Sequence, residues 1–197
     1  MITATGRLFT QEFQDIGIDD VIIPLSKITR WGGSAIDWTV LDHSLFVYNL
    51  CWHSGYDSDD VLEAALFHDA HEFVIGDIPK PWKVLLTNID AVQSQIQLFI
   101  EDCLGLRHPA STTKGIVERF DVMALLTEAQ VVLPKEMSAE ARKILYAPFG
   151  STSSSAGGTV PSMAIETLKA MQKDRYALGV DFLSLFKSYA SACRSGR

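Results

Sequence analysis

Cysteine is scarce: Cys51, Cys103 and Cys193 are the only three in 197 residues, and no two form a CxxC pair. This argues against a disulfide framework or a thiolate zinc site and fits a reducing compartment. Positive charge is also short. Seventeen Lys and Arg face 24 Asp and Glu, so the formal net charge is -7. A chain built to grip a nucleic-acid backbone needs the opposite balance, so no stable nucleic-acid binding is expected. If the substrate were a phosphate, its positive partner would have to come from elsewhere. No apolar run is long enough to cross a bilayer, so no membrane partner is expected. No charged segment followed by an apolar run opens the chain, so no secretory signal is expected and a cytoplasmic location is. No internal repeat and no hairpin signal occur. What is present is a 47% hydrophobic, 21% charged composition, that of a globular protein. The length predicts one domain over 1–197.

Apolar spacing is helical nearly throughout, predicting an all-α bundle of six or seven helices. A first helix is expected from Thr39 to His53, opened by a capping box of Thr39 and Asp42. Leu41, Leu45 and Tyr48 share one side of it, and His43, Val47 and Leu50 another. A second helix is expected from Ser58, with Asp59 and Asp60 in its first turn, to a stop at Gly76. Residues 77–82, with prolines at 79 and 81, are expected to be irregular. A helix from about Val84 to Cys103 shows an apolar stripe of Ile89, Val92, Ile96, Phe99 and Ile100. Further helices are expected over 111–133, 138–146 and 162–192, the last broken at Gly179. The run GSTSSSAGGTVP, residues 150–161, predicts a flexible loop.

The chemistry is concentrated in His68-Asp69-Ala70-His71-Glu72, followed by Gly76-Asp77. An imidazole beside a carboxylate makes a good partial shell for a borderline divalent ion. His43 lies on an apolar side of the preceding helix, and Asp121 lies among Val117, Ala124 and Leu125 on a later one. Polar residues on core-facing stripes of separate helices are how a metal site inside a bundle looks in sequence. Taken singly, His43 reads as a satisfied core histidine and Asp121 as a carboxylate bonded to Arg30 or Arg119. Taken with His68-Asp69, both read as metal ligands. Glu128, seven residues after Asp121, lies on the same face. It is placed to pair with a basic residue or to accept a hydrogen bond from a ligand histidine.

The order His43, His68-Asp69, Asp121 resembles the HD-domain metal-dependent phosphohydrolases. Arg30-Trp31 ahead of His43, and HDAHEFVIGDIPKPWK from His68 to Lys83, resemble the bacterial YfbR-type 5′-deoxynucleotidases and their phage relatives, the compact dATP triphosphohydrolases. The likeness runs from about Ile28 to Gln130. It implies His43, His68, Asp69 and Asp121 as ligands to a divalent ion (Co, Mn, Zn or Mg). It implies Glu72 and Asp77 as catalytic carboxylates acting on the attacking water. It implies Arg30 and Trp31 at the phosphate and nucleoside, a small deoxynucleotide as substrate, and self-association; read on their own, Trp31 equally suits core packing and Asp77 a cap for the loop at Ile78-Pro79. Lys80 and Lys83 are placed to add charge near a polyphosphate, or simply to be solvated. His71 is either a surface histidine, a substrate contact or a ligand to a second ion.

Two substrates suit such a site. One is a dNTP, dATP first, cleaved at its 5′ ester to deoxynucleoside and triphosphate, which the phage-like motif favours. The other is a dNMP giving up phosphate. A catalytically silent nucleotide-binding module and an alarmone hydrolase are the remaining readings. The silent module is disfavoured because every motif residue is present.

Overall fold

The computed structural model describes residues 1–10, 15–35, 37–133, 161–177 and 179–195. Its helices are α1 (Ile18–Leu25), α2 (Val40–His53), α3 (Asp59–Phe67), α4 (Glu72–Ile75), α5 (Lys80–Lys83), α6 (Ile89–Leu104), α7 (Ser111–Val131), α8 (Ser162–Tyr176) and α9 (Phe182–Ser195). Seven of these have eight residues or more, matching the all-α expectation of six or seven helices. Extended structure among the described residues is limited to two isolated bridges, Ile2 with Leu8 and Thr29 with Thr39. No helix among them is long and apolar enough to cross a membrane. The expected helix at 138–146 and the Ser/Gly loop as far as residue 160 lie outside the described residues.

Helix α2 is the axis of the molecule. Every residue from Val40 to Cys51 except Asn49 is buried. It packs against α1, α3, α7, α8 and α9. A helix enclosed on all sides loses its polar face, so the expected two-sided apolar pattern becomes burial all round. The capping box forms as expected. Asp42 N–H donates to Thr39 Oγ1 at 3.3 Å, and Thr39 N–H donates to Asp42 Oδ2 at 2.7 Å. The same carboxylate pairs with Arg175 of α8, tying a distant helix to the start of α2.

Three boundaries differ from expectation, each for a local reason. The helix expected over 58–76 stops at Phe67 and restarts at Glu72. Between them the bonding tightens to three-residue spacing: Ala70 N–H to Phe67 O at 3.0 Å, Glu72 N–H to Asp69 O at 3.0 Å, Phe73 N–H to Ala70 O at 3.2 Å. The segment expected to be irregular ends in one helical turn, α5. Pro79 caps it and Pro81 is its second residue, where no intrahelical N–H is required. Helix α6 begins at Ile89 and not Val84, after Asn88 in the left-handed region at φ 62°.

The inward face of α6 also differs. Gln93, Ile100 and Glu101 are buried, while Val92 is 43% exposed. Gln93, Gln97 and Glu101, four apart, line a cavity and not solvent. Helix α1 was absent from the sequence expectation, being two turns long with Pro24 inside it, yet it buries Val21, Ile22 and Leu25. The expected break at Gly179 is present, with φ 66°.

Candidate metal centre

Two helices and one tight turn bring the polar residues together. His43 comes from α2, His68 and Asp69 from the turn after α3, and Asp121 and Glu128 from α7. His43 Nε2 lies 3.0 Å from Asp121 Oδ1 and 3.7 Å from Asp69 Oδ2. His68 Nε2 lies 3.2 Å from Asp69 Oδ2 and 4.0 Å from Asp121 Oδ1. The two rings are 5.2 Å apart. Potential ligand atoms of His43, His68 and Asp69 all fall within 4.8 Å of one another.

Each histidine is oriented through its other nitrogen. His43 Nδ1–H donates to Glu128 Oε1 at 2.6 Å, and His68 Nδ1–H donates to the Ala65 carbonyl at 2.8 Å. This fixes the rings with Nε2 facing the carboxylates, the usual support for metal-binding imidazoles. Glu128 is fully buried and also accepts from Arg30 Nε at 3.0 Å. Both roles open to Glu128 in the sequence are therefore realised in its contacts. Asp121 bonds His43 and not Arg30 or Arg119. Arg119 instead donates to Tyr56 Oη at 3.3 Å.

Electrostatics mark the cluster as one that demands positive charge. Burial and the Arg30 charge pull the His43 pKa down, but Glu128 and Asp121 outweigh them and carry it up to about 10. Burial pushes Asp121 and Glu128 up, yet their basic partners hold each near about 2. Asp69 behaves likewise: His68, His43 and Arg30 overcome its burial and hold it well below the ordinary carboxylate range. Glu72 goes the other way. Burial, then the charges of Asp69 and Asp77, lift it to about 9. Only 2% of Glu72 is exposed, and its Oε2 has no hydrogen-bond partner; nor does His68 Nε2. Orphaned buried acceptors beside paired histidines and carboxylates are a donor set suited to a divalent ion.

The remaining expected site residues sit around this centre. Arg30 is buried, with Nη1 3.9 Å from Asp69 Oδ2. It is placed by backbone pairing with the approach to α2, Arg30 N–H to Trp38 O at 2.9 Å, beside the isolated Thr29–Thr39 bridge. Asp77 Oδ2 accepts the Trp31 N–H at 3.3 Å. It thus ties the Arg30-Trp31 turn, where Trp31, Gly32 and Gly33 all have positive φ. Trp31 packs against the core and keeps its buried Nε1 unpartnered. The Lys83 charge bears on Glu72 and His71. The backbone of Lys80 opens α5, but its side chain lies outside the described residues.

His71 is not the helix-surface residue that was one expectation for it. Its backbone N–H donates to Gln97 Oε1 at 3.1 Å, while Gln97 Nε2 donates to Phe67 O at 2.9 Å. Gln97 thereby splints the interruption between α3 and α4. It escaped sequence reasoning because a lone glutamine on a helix reads as solvated. The one available signal was the four-residue spacing of Gln93, Gln97 and Glu101.

A cavity of about 480 Å³ opens from His68, Asp69 and Asp121 between α3, α6 and α7. Its further walls carry Glu63, Asp90, Glu101 and Glu118 against Arg107 and Lys114. Arg107 is already held by Asp60 at 3.1 Å.

Comparison with known proteins finds likeness over part of the chain. Residues 20–105 match the model of the YfbR-like 5′-deoxynucleotidase family. The uncharacterized protein YfdR of Escherichia coli (strain K12) is 32% identical over 118 residues, 58% of this chain and 60% of the relative. The chain thus spans less than two thirds of that relative. His43, His68, Asp69 and Glu72 fall inside the matched segment, and Asp121 and Glu128 beyond it. Residues 20–105 therefore carry the pattern of the YfbR-like 5′-deoxynucleotidases, the family that the motif from His68 to Lys83 resembles.

Proposed function

We propose that this chain is a metal-dependent phosphohydrolase that cleaves the 5′ phosphoester of a deoxynucleotide. The observation that carries this is the buried His43–Asp121 and His68–Asp69 pairing, in which both rings are locked through Nδ1. His43, His68, Asp69 and Asp121 hold a divalent ion, Co, Mn, Zn or Mg. When bound, the ion polarises the phosphoryl oxygen and acidifies water. Glu72 exchanges a proton with the attacking water. Its carboxyl binds protons tightly in isolation, and positive charge entering the site lowers its pKa towards neutrality, where a general base works best. Asp77 orients the Arg30-Trp31 turn through its bond to the Trp31 backbone. Arg30 turns its remaining donors to the phosphate, Trp31 packs beside the nucleoside, and Lys83, with Lys80, adds charge at the rim.

The sequence favours a dNTP, dATP first. The cavity favours the dNMP. Its walls beyond the metal end carry more carboxylates than cations, which repels a trailing polyphosphate and tolerates an uncharged nucleoside. The family description likewise favours the monophosphate.

Incubation with dNMPs, dNTPs and guanosine tetraphosphate, each with Mn²⁺, Co²⁺, Zn²⁺ or Mg²⁺, decides the matter once products are separated by chromatography. Deoxynucleoside plus phosphate is the expected outcome. Deoxynucleoside plus triphosphate moves the substrate to the dNTP. Absence of turnover with every pair sinks the enzyme reading and leaves a binding module. Glu72→Gln should lower kcat by roughly 10²–10⁴-fold, the usual weight of a general base. Asp69→Ala should abolish turnover together with metal binding.

A further inference from the structure

We infer that Gln93 determines specificity by reading the edge of the nucleobase, selecting bases that set an exocyclic amino group beside a ring-nitrogen acceptor, as cytosine and adenine do. The inference rests on the deoxynucleotide reading of the metal centre and deepens it to a class of base. Three observations carry it. First, Gln93 is an idle polar group in the wall of the cavity that opens from His68, Asp69 and Asp121. It is 8% exposed, and its Nε2 is buried with no hydrogen-bond partner among the described residues. A buried amide nitrogen without an acceptor is costly and uncommon in a folded protein, so a ligand is the natural source of one.

Second, the next polar residue on this face of α6 shows what a committed amide looks like. Gln97 also lines the cavity. Its Oε1 takes the His71 N–H at 3.1 Å, and its Nε2 faces Phe67 O at 2.9 Å and Glu101 Oε1 at 3.0 Å. Gln97 is thus spent on holding the turn that carries His68 and Asp69, while Gln93 holds nothing. The two amides stand one helical turn apart, about 6 Å along the axis. That spacing matches the deoxyribose that separates a nucleotide's phosphate from its base.

Third, the surroundings choose among bases. Ala64, Phe67, Leu106 and Val117 give the cavity apolar walls suited to a flat ring. An amide edge carries a donor and an acceptor, and so matches a base edge with a ring nitrogen beside an amino group. Charge sets the direction of that match. Asp90, three residues before Gln93 and on the same face of α6, lines the cavity too, as does Glu118. Ionised carboxylates accept hydrogen bonds and donate none. They take the second hydrogen of an amino group, whereas a keto oxygen in its place meets like charge. Cytosine and adenine suit this wall; uracil, thymine and hypoxanthine do not.

The test is kcat/KM of the full chain with Mn²⁺ for two matched pairs, dCMP against dUMP and dAMP against deoxyinosine monophosphate. The wild type should prefer the amino member of each pair by roughly tenfold or more, the discrimination usual for a bidentate amide–base contact. Gln93→Met keeps the bulk and removes the amide, and should cut that preference to about threefold or less. Its Mn²⁺ affinity, read by calorimetry, should not change. Asp90→Asn, at an exposed position, should narrow the preference by about threefold, the weight of one exposed charge, with the fold untouched. Inhibition by deoxycytidine and deoxyuridine should follow the same order, which assigns the effect to binding and not to the chemical step. Equal turnover of both members of each pair by the wild type overturns the base preference and leaves the phosphohydrolase intact. A full preference surviving in Gln93→Met overturns the assignment to Gln93. Turnover of no nucleotide at all overturns the deoxynucleotide reading and this one with it.

Discussion

Glu128 is the residue on which the centre turns. It is fully buried, holds His43 Nδ1 through one oxygen and Arg30 Nε through the other, and is not itself a proposed ligand. Glu128→Gln preserves shape but removes the charge and one acceptor. The expected result is metal affinity weakened by roughly 10–100-fold with the helical signal intact, read by calorimetry and circular dichroism. A second residue-scale prediction concerns acid stability. Asp20 accepts from Gly17 N–H at 2.9 Å, from Thr5 N–H at 3.0 Å and from the Thr5 hydroxyl. Burial pushes its pKa up, but these bonds win and hold it at about 2, against 3.8 ordinarily. A lowered folded-state pKa stabilises above the unfolded value and is lost as pH falls through the folded one. Asp20 therefore contributes about 1–2 kcal/mol above pH 4 that disappears between pH 4 and 2. Urea melts at pH 5 and pH 3 should show this slope in the wild type and a flatter one in Asp20→Asn.

At the scale of elements, the start of α2 and the interruption after α3 matter most. Thr39→Ala removes a buried cap and should cost about 1–2 kcal/mol, seen as a lower urea midpoint with unchanged slope. That cap was legible in the sequence, because a Thr three residues before an Asp is a local signal. So was the approach of His43, His68, Asp69 and Asp121, since polar residues on apolar stripes have few other reasons to be there. The interruption at 68–71 was not. Its residues have helical propensity, and what tightens their bonding is Gln97, 26 residues further on from His71. The same holds for α6, where an apolar stripe competed with a polar one and the polar one faced inward because a polar cavity lies there. Arg175 on Asp42 is equally invisible locally, being an ion pair between α8 and the first turn of α2.

For the whole molecule, α8 and α9 complete the shell. They lie beyond residues 20–105, yet Leu168, Phe186 and Ala190 are among the most deeply buried side chains. Phe186 meets Phe67 edge-on at 5.2 Å, directly ahead of His68. Phe186→Ala should destabilise by about 3–5 kcal/mol through cavity formation, measured by denaturant unfolding. The sequence showed these helices and their break at Gly179 but assigned them no task; enclosing α2 is that task. The cysteines follow from the same packing. None of the three forms a disulfide, and burial lifts the Cys51 thiol to about 12 and Cys193 to about 11, so neither of these two is a nucleophile at neutral pH.

The enclosure of α2 has a kinetic corollary. Amide protons of a helix covered on every side exchange with solvent only when the protein opens globally, whereas those of a short turn beside a cavity exchange through local opening. His43 thus belongs to the slowest-exchanging part of the chain and His68-Asp69 to a faster one. Ions bridging them should slow exchange over residues 68–76 and leave α2 as it was, so deuterium uptake with and without Mn²⁺ would show which wall of the centre yields.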